Sequence, residues 1–202
     1  MRKPMFTIDA FSAASEEHPT RNEDAHFTLE QGIAGVFDGM GGYDGSEDAS
    51  RFVAEFCADA LQNESTATPP EAMRMRLQYM LEEAQAAFME TYRVRTQRIG
   101  TTAILASIVT DPKSNLPYAC FAYVGDSRGH IYRNDRTIFT TLDHGISSNL
   151  PFDEQREIQN ELATALYSAD IDPYYLPYLY SEISLQARFQ IVHAPNLLLI
   201  AL

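Results

Sequence analysis

A chain of 202 residues, 45% hydrophobic and 21% charged, has the make-up of a folded globular protein and the length to bury a sizeable core. Its net charge of −13 argues against a non-specific nucleic-acid binder, which needs a basic face to neutralise phosphates. Two cysteines, Cys57 and Cys120, exclude a disulfide scaffold and a cysteine-based zinc module, and no apolar run approaches the ~20 residues that span a bilayer.

In chain order, Thr7 and Asp9 interrupt any signal-peptide apolar region, so a cytoplasmic protein without membrane contact is expected. Residues 5–11 and 25–30 read as short strands joined by a polar segment. The apolar run 32–37 suits a buried strand, and the glycine-rich stretch 38–45 reads as a loop. A helix follows, with Ala49, Phe52, Val53, Phe56, Cys57, Ala60 and Leu61 on one stripe. Cys57 on that stripe is core rather than a reactive thiol.

Pro69 and Pro70 punctuate, and a longer helix is expected over about 71–97, burying Met73, Leu77, Met80, Leu81, Ala84, Phe88 and Tyr92. Strands are expected at 101–110, 117–124, 129–133 and 136–142, with turns at 111–115 and 134–135. Beyond residue 143 the pattern loosens around Pro151, Pro173 and Pro177, with one short helix at 154–166 and final strands at 187–192 and 197–202. No internal repeat emerges. The expected architecture is a single α+β domain over residues 1–202.

Residues 1–64 hold 13 acids against 4 bases, which describes either a solvated surface or carboxylates gathered to hold cations. Asp38 at the end of a buried strand, followed by Gly39, Met40, Gly41 and Gly42, favours the second. Such a carboxylate is held rigidly, and the glycines let backbone carbonyls approach an ion. A plain glycine turn with an Asp cap is the simpler alternative. The spacing is not that of a dinucleotide loop, and Met40 and Gly42 stand where a calcium loop needs oxygen ligands. Glu23 and Asp24 open the preceding strand, and Asp126 ends another apolar strand. If these strands are neighbours, they supply the hard oxygen ligands that Mg²⁺ or Mn²⁺ prefers. Each acid alone reads as a surface or turn residue.

Arg-Asn-Glu-Asp at 21–24, Val-Phe-Asp-Gly-Met-Gly-Gly at 36–42, Gly-Thr-Thr-Ala at 100–103 and Val-Gly-Asp-Ser-Arg at 124–128 occur in one order. In that order they resemble the metal-dependent type 2C Ser/Thr protein phosphatases, over roughly residues 5–145, with Leu142-Asp143-His144 as a further likeness. The resemblance implies a central antiparallel β-sandwich flanked by helices, with two Mn²⁺ or Mg²⁺ ions and a weaker third. It implies that Asp38 bridges two metals, that the Gly39 carbonyl ligates one, that Glu23 and Asp24 complete the near side, partly through water, and that Asp126 helps hold the third. The function implied is hydrolysis of phosphoserine or phosphothreonine on a protein substrate by metal-activated water.

The sequence departs from the family in two places. His18-Pro19 stands where a phosphate-binding Arg is usual, which leaves Arg21 as a substitute. The chain also stops before the family's Ser-Asp-Gly and Asp-Asn ligands, so the expected fold is incomplete at its C-terminal end. A non-catalytic phosphatase-like binding module is the alternative reading. Residues 145–186 correspond by position to the family's variable flap.

Overall fold

The computed structural model describes residues 7–14, 16, 19–40, 45–92, 99–141, 188–193 and 198–201. The expected helix at 154–166, the flap at 145–186 and the Asp143-His144 pair lie outside these residues.

The first apolar stripe winds into α1 (Ser46–Leu61), with Ala49, Val53, Cys57 and Leu61 buried. The second becomes α2 (Pro70–Thr91), burying Met73, Leu77, Met80, Leu81, Ala84 and Phe88. Pro70 opens α2, where its missing N–H is no loss. The helix ends at Thr91, short of the expected 97, where the Tyr92 N–H donates to the Phe88 carbonyl at 2.9 Å.

Among the described residues, nine strands make two sheets. The larger has the order β1 (Asp24–Leu29), β2 (Ile33–Met40), β4 (Ala103–Thr110), β5 (Pro117–Val124) and β8 (Arg188–His193), with the short β3 (Gly100–Thr101) also on β2. The smaller has β6 (Gly129–Arg133) between β7 (Arg136–Thr140) and β9 (Leu198–Ala201). All the pairs are antiparallel. Asn134 and Asp135 both take positive φ, 51° and 59°, which is the turn that a two-residue hairpin between right-twisted strands demands.

Strand periodicity divides the core into two layers. Ala103, Leu105, Val109, Cys120 and Ala122 face the helices, whereas Ile104, Ala106, Ala119, Phe121 and Tyr123 meet Ile131 of the smaller sheet. β4 and β5 are therefore buried on both faces and read as near-continuous apolar runs. This is the expected β-sandwich with helices packed on the larger sheet.

Two local expectations change. Residues 7–11 form no strand, and Phe11 is 91% exposed; with no partner strand and no buried face, that segment gains nothing from extending the sheet beyond β1. The strand expected to end at residue 37 also runs on to Met40, and residues 41–44 of the expected loop lie outside the described residues. β2 continues through Asp38 and Gly39 because β3 supplies a partner for Gly39 and Met40.

Cys57 and Cys120 are both buried, and burial pushes each thiol up to about 12. Because the thiolate is the nucleophile, a disulfide-exchange reagent at pH 8 is expected to label neither in the native protein and both in denaturant. Rapid labelling of the native protein would show that the helix–sheet core opens.

Candidate active site

The β1–β2 hairpin register sets Asp24 directly opposite Asp38. Partners across an antiparallel pair share a face, so both carboxylates stand together; both residues reach solvent, although the surrounding protein still desolvates part of the Asp38 carboxyl. Asp126 reaches the same place from the turn after β5. Its charge acts on Asp38, whose carboxyl is pushed up to about 6, first by burial, then by the charges of Asp24 and Asp126, then by a hydrogen bond with Asp24. Three acids from two distant stretches of chain thus converge.

The backbone beneath Asp38 is held by a threonine pair. The Thr102 N–H donates to the Asp38 carbonyl at 2.8 Å, as does the Thr101 hydroxyl at 3.0 Å. The Asp38 N–H donates to Thr102 Oγ1 at 3.1 Å, so a side-chain oxygen stands where a regular ladder uses the carbonyl. Thr102 Oγ1 also lies 2.5 Å from Ser127 Oγ, beside Asp126.

Glu23 takes a different direction from Asp24. Its carboxylate accepts from the Ser46 hydroxyl at 3.1 Å at the start of α1, and from the Arg21 guanidinium. Arg21 also lies 3.7 Å from Glu47, so its charge is shared by two carboxylates. The Glu23 carbonyl accepts from Gly39 N–H at 3.1 Å and from Ser50 Oγ at 2.5 Å. Gly39 is packed so closely that a Cβ there would stand 2.6 Å from both the Glu23 and Ser46 carbonyl oxygens. The structure thus brings Asp24, Asp38 and Asp126 together, places Gly39 beside them, and ties Glu23 and Arg21 to α1.

Among the described residues, no group of three His, Cys, Asp or Glu side chains is arranged to hold a metal ion by itself. The donor chemistry nevertheless fits a small hard cation. Mg²⁺-type ions keep several waters and take one or two carboxylates, and the mutual repulsion that raises Asp38 is what a cation relieves.

A family model described as Protein phosphatase 2C matches residues 10–156. The chain belongs to the protein phosphatase 2C family. A curated relative from Oryza sativa subsp. japonica, carrying the name protein phosphatase 2C 24, is 28% identical over 155 residues; the match takes in 76% of this chain and 46% of the relative. The chain thus spans about half the length of the curated relative that it matches. Among solved structures, a bacterial serine phosphatase is similar with a TM-score of 0.64 at 20% identity, over 93% of this chain and 73% of that one. The catalytic domain of the serine threonine protein phosphatase PstP, in complex with 2 manganese ions, gives 0.60 at 17% identity, over 92% and 70%. PppA of Pseudomonas aeruginosa gives 0.60 at 19%, over 91% and 70%. These likenesses carry the fold.

Reading the sequence for acids and glycines missed Ser46 and Ser50, and noted Thr102 and Ser127 only within their motifs, without their task; these four hydroxyls fix the acid-bearing backbone. A threonine pair opening a strand looks like ordinary β-propensity. The available signal was the Ser directly after Asp126, a turn hydroxyl in need of a partner.

Proposed function

We propose that this chain is a metal-dependent phosphatase acting on phosphoserine and phosphothreonine in proteins. The observation that carries the reading is the convergence of Asp24, Asp38 and Asp126, with Asp38 raised to about 6 by its surroundings. Family membership supports it, as does the manganese complex of a protein with the same fold. Asp24, Asp38 and the Gly39 carbonyl would hold two Mn²⁺ or Mg²⁺ ions, Asp126 a weaker third, and Glu23 would contribute through water. When bound, such ions supply Lewis acidity toward phosphate oxygens and make water a usable nucleophile near neutral pH. The chain's own part is to hold the carboxylates rigidly; its surroundings disfavour the ionised form of Asp38, which a bound cation would favour. A phosphate oxygen would reach Arg21 only in competition with Glu23 and Glu47.

The test is turnover of p-nitrophenyl phosphate and of a phosphothreonine peptide with Mn²⁺, before and after chelation. Chelator-sensitive hydrolysis of both supports the reading; its absence at every Mn²⁺ concentration tried overturns it. The pH dependence follows from Asp38. A carboxyl raised to about 6 holds its proton below that value and must release it to take a cation, so proton and metal compete. Mn²⁺ affinity is therefore expected to fall as pH drops through about 6, and excess Mn²⁺ should push that fall to lower pH. A flat affinity between pH 5 and pH 7 would separate Asp38 from the cation.

A further inference from the structure

We infer that the Thr102–Ser127 hydroxyl pair is a positioning device: it latches the Asp126 turn to the Asp38 strand and so sets the spacing of the two acids that would hold the cations. The inference rests on the phosphatase reading, since it assigns a task within that site.

The geometry carries it. Between β3 and β4 the ladder with β2 is interrupted for one residue, and that residue is Thr102, 2% exposed. Its N–H goes to the Asp38 carbonyl, while its hydroxyl oxygen, rather than its carbonyl, receives the Asp38 N–H. The one proton of the Thr101 hydroxyl is shared between the Thr102 carbonyl, at 2.8 Å, and the Asp38 carbonyl, at 3.0 Å. This arrangement turns Thr102 Oγ1 into a junction, with the Asp38 backbone on one side and Ser127 Oγ on the other. A hydroxyl can serve both because it has one proton and two lone pairs.

The turn is pressed onto the same threonine. Gly125 has φ +98°, and a Cβ there would stand 2.7 Å from Thr102 Cγ2 and 2.8 Å from Thr102 Cβ. Only glycine both adopts this conformation and permits this approach. Asp126 follows directly, so its backbone is fixed from Gly125 by contact and from Ser127 by hydrogen bond. Two glycine and hydroxyl motifs that carry no charge therefore hold together two acids that repel each other. Partners of metal ligands, when removed, commonly weaken metal affinity by about 10–100-fold.

Ser127→Ala leaves the Asp38 N–H bonded to Thr102 and removes only the latch, so it should fold. Titration calorimetry with Mn²⁺ is expected to show the most weakly held ion losing about tenfold in affinity, while the metal-free melting temperature barely moves. Ser127→Thr, which keeps the hydroxyl, should restore the isotherm. Thr102→Val should weaken binding at least as much. Adding Ser127→Ala to it should cost little more, because both remove one interaction. Ser127→Ala with a wild-type isotherm, or additive losses in the double variant, overturns the latch alone. A wild type that takes up no Mn²⁺ overturns the phosphatase reading and the latch with it.

Discussion

Asp38→Asn is expected to erase most of the rise in melting temperature that millimolar Mn²⁺ gives the wild type, and to leave the metal-free protein as stable as before or slightly more so. Asn keeps the shape and can still donate a hydrogen bond to Asp24, but it carries no charge to hold a cation. A ligand at 100 times its dissociation constant adds about 2.7 kcal/mol, roughly 5–10 °C for a chain of this size. In the metal-free protein the sign reverses. The folded value of Asp38 is about 6, above its ordinary 3.8, so its contribution to stability is fully present below 3.8 and is lost as pH rises through about 6. At pH 7 the wild type therefore carries an ionised Asp38 against Asp24 and Asp126, a burden of about 1 kcal/mol once solvent screening of an exposed group is allowed for. Asn lacks that burden. A turn-capping Asp behaves oppositely, costing about 0.5–2 kcal/mol on replacement with or without Mn²⁺. Melting both proteins in chelator and in Mn²⁺ separates the cases; a metal shift that survives Asp38→Asn removes Asp38 from the site.

Gly39→Ala is expected to lower the melting temperature by roughly 5–10 °C and to abolish metal uptake along with it. The added Cβ would lie 2.6 Å from two carbonyl oxygens, those of Glu23 and Ser46, and neither belongs to a side chain that can swing away. The Glu23 carbonyl is further pinned by the Gly39 N–H and the Ser50 hydroxyl. Relief has to come from moving the start of β1 or the first turn of α1, a strain of about 3 kcal/mol or more. Gly129→Ala is the control. There a Cβ would meet the Phe121 ring at 3.1 Å, which a small ring shift relieves, so a loss under about 1 kcal/mol is expected. Equal melting temperatures for the two variants would mean that the Glu23–Gly39–Ser46 contact is softer than its geometry implies.

The elements were legible where one face of an element is buried. The stripe through Val53, Cys57 and Leu61 and the one through Met73, Leu77 and Met80 gave both helices, because 3.6-residue spacing has no other use there. Strands β4 and β5 were legible as apolar runs, and Asn134-Asp135 as a turn. The placement of β3 was not, since Gly100 and Thr101 make a strand too short to show an alternating side-chain pattern. Within the site, Asp24, Asp38, Gly39 and Asp126 could be picked out as acids or glycine at strand ends. The divergence of Glu23 from Asp24 followed from a rule already in hand: neighbours entering a strand point to opposite faces. What no local pattern could disclose was the junction at Thr102, because it depends on two segments meeting that only the fold brings together.

The distance along the chain between Asp38 and Thr102 has a consequence for how the protein assembles. Their hydrogen bond spans 64 residues, and the intervening loop contains both helices. Helices form within about a microsecond from local contacts, whereas pairing β2 with β4 first requires that long loop to close, an entropic cost recovered only once the sheet is made. Asp126 arrives later still, behind β4 and β5. A nascent or refolding chain therefore displays Asp24 and Asp38 on a lone hairpin, without their third acid or their anchoring threonines, well after its helical signal has matured. On the proposed metal-dependent reading, cation capture would come at the end of folding, set by the slow non-local strand pairing rather than by the fast helical phase.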